Sequence, residues 1–281
     1  MKLRHLASLS LCSGLLGCAV TINHTDVFSA NDAHVSPTSV EIPLSVSRSS
    51  VQEVSLSVGG RRYLGYRLVS EKPARAVLFM PGNGYGASRA LSRLASAFFS
   101  ESTDLYVVSY AQPGESPPLV SEVFTMAQAL AAHASATSSI PKSRLVGVGH
   151  SLGGWVALNL ASKQEVGCAV VVGSGTTAVA TASRVIKPQF LSSALSFKPD
   201  DDVALLDNER QAREVLIPTL IVGSELDEIM PATSAQAIYR SLPEATSRQL
   251  FLSSSASHGG YFRDQMVVKE IQAFMHLKCD A

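Results

Sequence analysis

With 281 residues, 46% of them hydrophobic and only 16% charged, the chain is long enough to bury one large core. Basic and acidic residues balance at 23 each, and no long basic stripe is present that would release counterions from a nucleic acid. Nucleic acid is therefore excluded as an expected partner, and one catalytic or binding domain is the simplest organisation.

At the start of the chain, Lys2, Arg4 and His5 precede an apolar stretch, residues 6–16, that is too short to span a bilayer as a helix. The pattern predicts a secretion signal over residues 1–18. Leu15-Leu16-Gly17-Cys18 resembles the lipobox of bacterial lipoproteins, and the resemblance implies a lipid on Cys18 that holds the protein to a membrane of the cell envelope. The alternative is ordinary cleavage near Ala19 and secretion. Residues 19–50 are rich in Ser, Thr, Asn and Pro, with apolar residues scattered and no sustained period, so they are expected to form a flexible tether. Beyond Cys12 and Cys18, only Cys168 and Cys279 remain; a disulfide between them is possible in an oxidising compartment, but nothing in the sequence indicates it.

From Val51 the pattern changes. Residues 51–58 and 61–68 read as two strands joined at Gly59-Gly60, an antiparallel hairpin. Strands and helices then alternate: strand 76–80, helix 88–100, strand 105–110, helix 120–136, strand 144–149, helix 152–162 and strand 168–172. This alternation predicts an α/β fold, a mostly parallel sheet with helices on both faces. About residues 174–215 the rhythm breaks. An apolar group (Phe190, Leu191, Leu195, Phe197) and an acidic turn (Asp200, Asp201, Asp202) fill a stretch longer than an ordinary connection, which is expected as a small cap insertion. Its apolar residues either line a substrate pocket or simply pack. Strand 216–222, helix 232–242, strand 248–252 and helix 262–277 complete the domain, 51–281.

At Val146-Gly147-Val148-Gly149-His150-Ser151-Leu152-Gly153-Gly154-Trp155 an apolar run stops at a glycine-flanked serine, and a helical pattern begins directly after it. A serine lifted above the end of a buried strand sits on a sharp turn, and small residues two before and two after it let strand and helix approach. Gly149, Ser151 and Gly153 fit that demand. Here the sequence resembles the α/β-hydrolase superfamily, in the Gly-His-Ser-x-Gly-Gly form common among its esterases and lipases. The resemblance implies the α/β-hydrolase fold and a serine nucleophile, with an acid and then a histidine later in the chain.

Serine is a weak nucleophile without a base in reach and a group to orient that base. Of seven histidines, His5, His24 and His34 fall in the signal or the tether, His133 and His276 sit in helices, and His150 adjoins the serine and is expected to point away from it. His258, in the small-residue loop Ser255-Ala256-Ser257-His258-Gly259-Gly260 after a late strand, stands where the resemblance places the base. Past strand 216–222, Asp227-Glu228-Ile229-Met230-Pro231 resembles the family's acid segment, which implies Asp227 as the acid; Glu225 and Glu228 remain weaker candidates. The oxyanion hole is expected from the amide of Leu152 and, in Met80-Pro81-Gly82-Asn83-Gly84-Tyr85-Gly86, that of Asn83. A dinucleotide-binding role for Gly82, Gly84 and Gly86 fares badly, because their spacing is wrong and the next strand ends without an acid for a ribose. No cofactor and no metal are expected. The chemistry implied is hydrolysis of a small-molecule carboxylic ester, with thioester, lipid or peptide as variants on the same residues. A membrane-tethered binding module that retains the fold is the alternative from a different class. Oligomeric state is not legible.

Overall fold

The structure, a computed structural model, describes residues 18–28, 33–43, 46–47, 50–185 and 195–279. In chain order its elements are β1 (Cys18–Ile22), α1 (His24–Val27), β2 (Val51–Val58), β3 (Arg61–Leu68), β4 (Arg75–Met80), α2 (Ala87–Phe98), β5 (Thr103–Val108), α3 (Val120–Ser138), β6 (Leu145–His150) and α4 (Leu152–Ser162). Then follow β7 (Cys168–Val172), α5 (Ala178–Val185), β8 (Leu195–Pro199), α6 (Asn208–Ala212), β9 (Thr219–Ser224), α7 (Ala232–Ser241), β10 (Arg248–Ser253) and α8 (Gln265–Lys278).

Eight strands form one sheet in the order β10-β9-β7-β6-β4-β5-β3-β2. From β5 to β10 neighbours are parallel, while β3 is antiparallel to both β2 and β5, so the expected hairpin forms one edge. The apolar runs of β5, β6, β7 and β9 are buried along their whole length, because helices cover both faces of the sheet. One face packs on Leu91 and Leu94 of α2 and on Ile271 and Phe274 of α8. The other packs on Val123, Met126 and Leu130 of α3 and on Trp155, Val156 and Leu160 of α4. Cys168 of β7 and Cys279, just past α8, are joined by a disulfide with their Cα atoms 5.5 Å apart, tying the final helix to the middle of the sheet.

Three expectations change. Residues 19–50 are not a free tether where they are described. Ile22, Phe28, Val40 and Val46 are buried, and Phe28 meets the Tyr110 ring edge-on at 5.6 Å. The His34 ring stacks on Tyr66 at 4.9 Å, and the Tyr66 hydroxyl donates to the Val35 carbonyl. Scattered apolar residues leave no periodic signature when each fills a separate crevice, so composition alone misread the segment.

The insertion at 174–215 also departs from a simple cap. Its strand β8 pairs in parallel with β1, from Cys18 opposite Leu195 to Ile22 opposite Pro199, as a separate two-stranded sheet. Its acidic turn holds a helix end: the Asp202 carboxylate accepts from the Val120 amide (2.6 Å), the Ser121 amide (3.1 Å) and the Ser121 hydroxyl (2.8 Å). A carboxylate there satisfies amides that the first turn of α3 leaves open and opposes the helix dipole. Phe197 packs with the α3 face of the core, and Phe190 and Leu191 lie outside the described residues.

The third change is at element ends. The strand expected at 216–222 runs from Thr219 to Ser224 and leaves Leu216 exposed. The last helix starts at Gln265, because the Asp264 side chain accepts from the Met266 and Val267 amides and caps it there.

Candidate active site

The site is built where β6 passes into α4. A Cβ placed on Gly149 would lie 2.0 Å from the Gly153 carbonyl oxygen, and one on Gly153 would lie 1.9 Å from that of Met80, so no larger residue fits either place. That contact forces the chain through a tight bend at Ser151, whose φ of 55° and ψ of −119° is an uncommon backbone state for a residue with a Cβ. Neighbours hold the bend on both sides. The Ser151 amide donates to the Val172 carbonyl at 2.9 Å, and the Ser151 carbonyl accepts from the Ser174 hydroxyl at 2.8 Å. Asn208, at the start of α6, donates in turn to the Ser174 hydroxyl and the Gly175 carbonyl.

Ser151, His258 and Asp227, which lie far apart in sequence, meet in one hydrogen-bonded line. His258 Nε2 is 3.0 Å from Ser151 Oγ, and His258 Nδ1 is 3.0 and 2.9 Å from the two Asp227 carboxylate oxygens. An ionised carboxylate can only accept, so Nδ1 carries the ring hydrogen and Nε2 presents its lone pair to the serine hydroxyl. Asp227 follows β9 and His258 follows β10, so two adjacent parallel strands deliver acid and base to the same end of the sheet.

The Asp227 carboxylate is fully buried. It accepts from the Ile229 amide (3.0 Å), the Met230 amide (2.7 Å) and the Tyr261 hydroxyl (2.8 Å) besides His258. Burial alone pushes its pKa up, but the hydrogen bonds and charge of His258, with the Met230 and Tyr261 bonds, outweigh that and hold it below the ordinary aspartate value. Glu225 and Glu228 are exposed, whereas Asp227 is buried and hydrogen-bonded to His258.

Two residues near the base were not singled out by sequence as partners. Tyr261 sits in a short helical turn after His258; burial and the neighbouring Asp227 charge push its pKa far up, so its hydroxyl stays a donor. Position gave no signal for it, since only the folded loop brings it to Asp227. His150 has a contact of its own: its Nε2 lies 2.9 Å from the His258 carbonyl oxygen, with the two rings 5.1 Å apart. A carbonyl only accepts, so His150 donates and braces the loop of the base. Burial first, and then the charge His258 takes up, lower the His150 pKa from 6.5 to about 4, so it remains neutral.

Leu152 is the first residue of α4, where a helix amide has no partner within the helix. Against the elbow lies the β4–α2 loop: a Cβ on Gly82 would sit 3.2 Å from the Ser151 Cβ, and Asn83 beside it is exposed. The Tyr110 hydroxyl, donating to the Pro81 carbonyl at 2.9 Å, steadies that loop. A hollow of about 220 Å³ between α5 and the Pro231 end of α7 includes Thr176, Thr181 and Met230. Among the described residues no group of three or more His, Cys, Asp or Glu is placed to hold a metal, and no helix is long and apolar enough to cross a membrane.

Known proteins share this fold. The fold matches an esterase of Pyrococcus furiosus with a TM-score of 0.67 over 90% of this chain and 99% of that one, at 12% identity. The esterase domain of a Rhodothermus marinus protein matches with a TM-score of 0.62 over 82% of this chain and 99% of that one, at 17% identity. In sequence, Cutinase 1 of Thermobifida cellulosilytica is 29% identical over 222 residues, 77% of this chain and 72% of its own length. Cutinase est1 of Thermobifida alba is 28% identical over 128 residues, 45% of this chain, and the match spans only 33% of that protein. Residues 77–267, well over half of the chain and the span that carries the elbow and its partners, match the model of the alpha/beta hydrolase family, and the chain belongs to that family.

Proposed function

We propose that the protein is a serine hydrolase that cleaves carboxylic esters through an acyl-serine intermediate. The observation that carries this reading is the unbroken line from Ser151 Oγ through His258 to Asp227. Ser151 attacks the ester carbonyl as His258 Nε2 takes its proton; the imidazolium is held by the buried Asp227 carboxylate, and the oxyanion is met by the Leu152 and Asn83 amides. Collapse of the tetrahedral adduct breaks the bond to the alcohol, which leaves with the proton from Nε2. Water then adds to the acyl-serine with His258 again as base, and the acid is released. None of these steps calls for a cofactor. The likeness to proteins named cutinases and esterases supports an ester as substrate.

Cys18 and the apolar run before it support a second part of the proposal, a lipid anchor that holds the enzyme in a bacterial cell envelope. Cys18→Ser is expected to release the protein from the membrane fraction. Unchanged attachment, with no lipid on the wild-type N-terminus by mass spectrometry, would contradict it.

An ester panel tests the activity. Chromogenic esters of rising chain length, beside an amide and a thioester, are expected to show turnover on the esters that is lost in Ser151→Ala. Absence of turnover and of serine labelling in folded wild-type protein would favour a binding module on this fold.

A further inference from the structure

A cavity of about 340 Å³ lies between α2 and the loop that carries the base, on the side of the elbow where His150 points. At about 30 Å³ for each water-sized group, it has room for about ten non-hydrogen atoms. Its floor is apolar: Phe79, Leu94 and Phe262, with the Phe79 and Phe262 rings edge to face at 5.5 Å. Three of its walls belong to the candidate active site. Gly82 adjoins Ser151, His150 precedes it, and Gly259 follows His258. An added Cβ at Gly82 would lie 3.2 Å from the Ser151 Cβ and 3.3 Å from His150 Nδ1, so at this glycine the cavity wall and the elbow are one atom layer apart.

The rim is cationic. Arg93 of α2 stands 5.0 Å from the centre of the Tyr85 ring and donates to the Tyr85 hydroxyl, and Arg263 donates to the Gly259 carbonyl at 3.2 Å. Both arginines are exposed, and no carboxylate among the described residues is paired with either. Each guanidinium has five N–H donors and here uses few of them on the protein. An apolar pocket next to a reacting serine, rimmed by two cations without a protein anion, suits a ligand with a short hydrocarbon body and a negative end.

We propose that this cavity is an anion-recognition subsite that makes the enzyme prefer esters bearing a carboxylate or similar anionic group, with Arg93 and Arg263 as the specificity-determining residues. The proposal rests on the esterase reading above. The body of the substrate lies on Phe79, Leu94 and Phe262 while its charged end reaches the guanidinium edges at the mouth, where water and salt still penetrate. The preference is therefore expected to weaken as ionic strength rises.

The test compares kcat/KM for paired esters at low salt. On the acyl side these are mono-4-nitrophenyl glutarate and 4-nitrophenyl butyrate; on the alcohol side, 4-acetoxybenzoate and phenyl acetate. Wild-type enzyme is expected to favour the charged member of at least one pair, and Arg93→Met/Arg263→Met to cut that preference roughly tenfold, as loss of hydrogen bonds to a charged group implies. The ratio of charged to neutral rates, rather than either rate alone, is the readout, and Arg93→Lys/Arg263→Lys should keep most of the preference. Equal charged-to-neutral ratios in wild type and the double methionine variant, on both pairs, would overturn the proposal while leaving the esterase intact. If no ester is turned over, the esterase reading fails separately. Calorimetric titration of monoethyl glutarate into Ser151→Ala then decides the subsite: weaker binding after both arginines are replaced supports it, and equal or absent binding overturns it.

Discussion

The elbow around Ser151 and the described residues before Val51 both pack into the same core, yet they are specified in opposite ways. At the elbow, a few residues adjacent in sequence face steric demands that nothing else can meet: Gly149 and Gly153 each lie where a Cβ would overlap a carbonyl oxygen. In the N-terminal segment, Ile22, Phe28, Val40 and Val46 are buried one at a time, in places that exist only once the sheet is complete. Local steric necessity leaves a motif, whereas dispersed packing leaves only composition. The two regions should therefore fail differently, one through chemistry and the other through stability.

The largest effect is expected from Asp227→Asn. An amide in place of the carboxylate presents the wrong His258 tautomer, and kcat should fall by about 10⁴, the size of the corresponding change in a serine protease. Thermal stability should change far less than activity. If Glu225→Gln or Glu228→Gln costs more activity at equal stability, the acid is misassigned.

Phe28→Ala should show the reverse. Loss of a buried aromatic ring costs about 3 kcal/mol, so denaturant unfolding should shift markedly while kcat/KM on a small soluble ester remains near wild type. A stability loss below a few tenths of a kcal/mol would return the segment to the status of a loose tether.

The sequence was informative wherever one residue type was sterically or chemically required. The alternation of strands and helices foretold the parallel sheet, and the order of serine, acid and histidine pointed to three residues that the folded chain brings within hydrogen-bond reach. It was silent where a role depends on a distant neighbour. Tyr261 contacts Asp227 across 34 positions, and Asp202 caps a helix that begins 82 residues earlier. Neither stands in a pattern that local periodicity can reveal.

His150 sharpens the comparison through pH. Its folded pKa, about 4, lies below its ordinary 6.5, so between those values the unfolded chain binds more protons and stability rises with pH. The contribution is fully present above about pH 6.5 and is lost as pH falls toward about 4, to a total of about 3 kcal/mol. In His150→Phe, the stability difference between pH 7 and pH 4 by urea unfolding should shrink by that amount. An unchanged difference would mean that His150 is not held neutral by the fold.

Tyr261→Phe is expected to have the smallest effect. One hydrogen bond to Asp227 is lost, worth about 1 kcal/mol, so kcat should fall by roughly fivefold with KM little changed. Because two backbone amides and His258 still serve the carboxylate, a loss near that of Asp227→Asn would show that the loop had moved.

The central claim is that Ser151 is activated by its neighbours His258 and Asp227, and the most direct measurement is mass spectrometry of the protein after treatment with an organophosphonate. The account predicts one adduct per chain, on Ser151, formed fast at neutral pH and absent from a Ser151→Ala variant that melts near the wild-type temperature. An adduct on another serine, or none at Ser151 in folded protein with probes of several sizes, would contradict it.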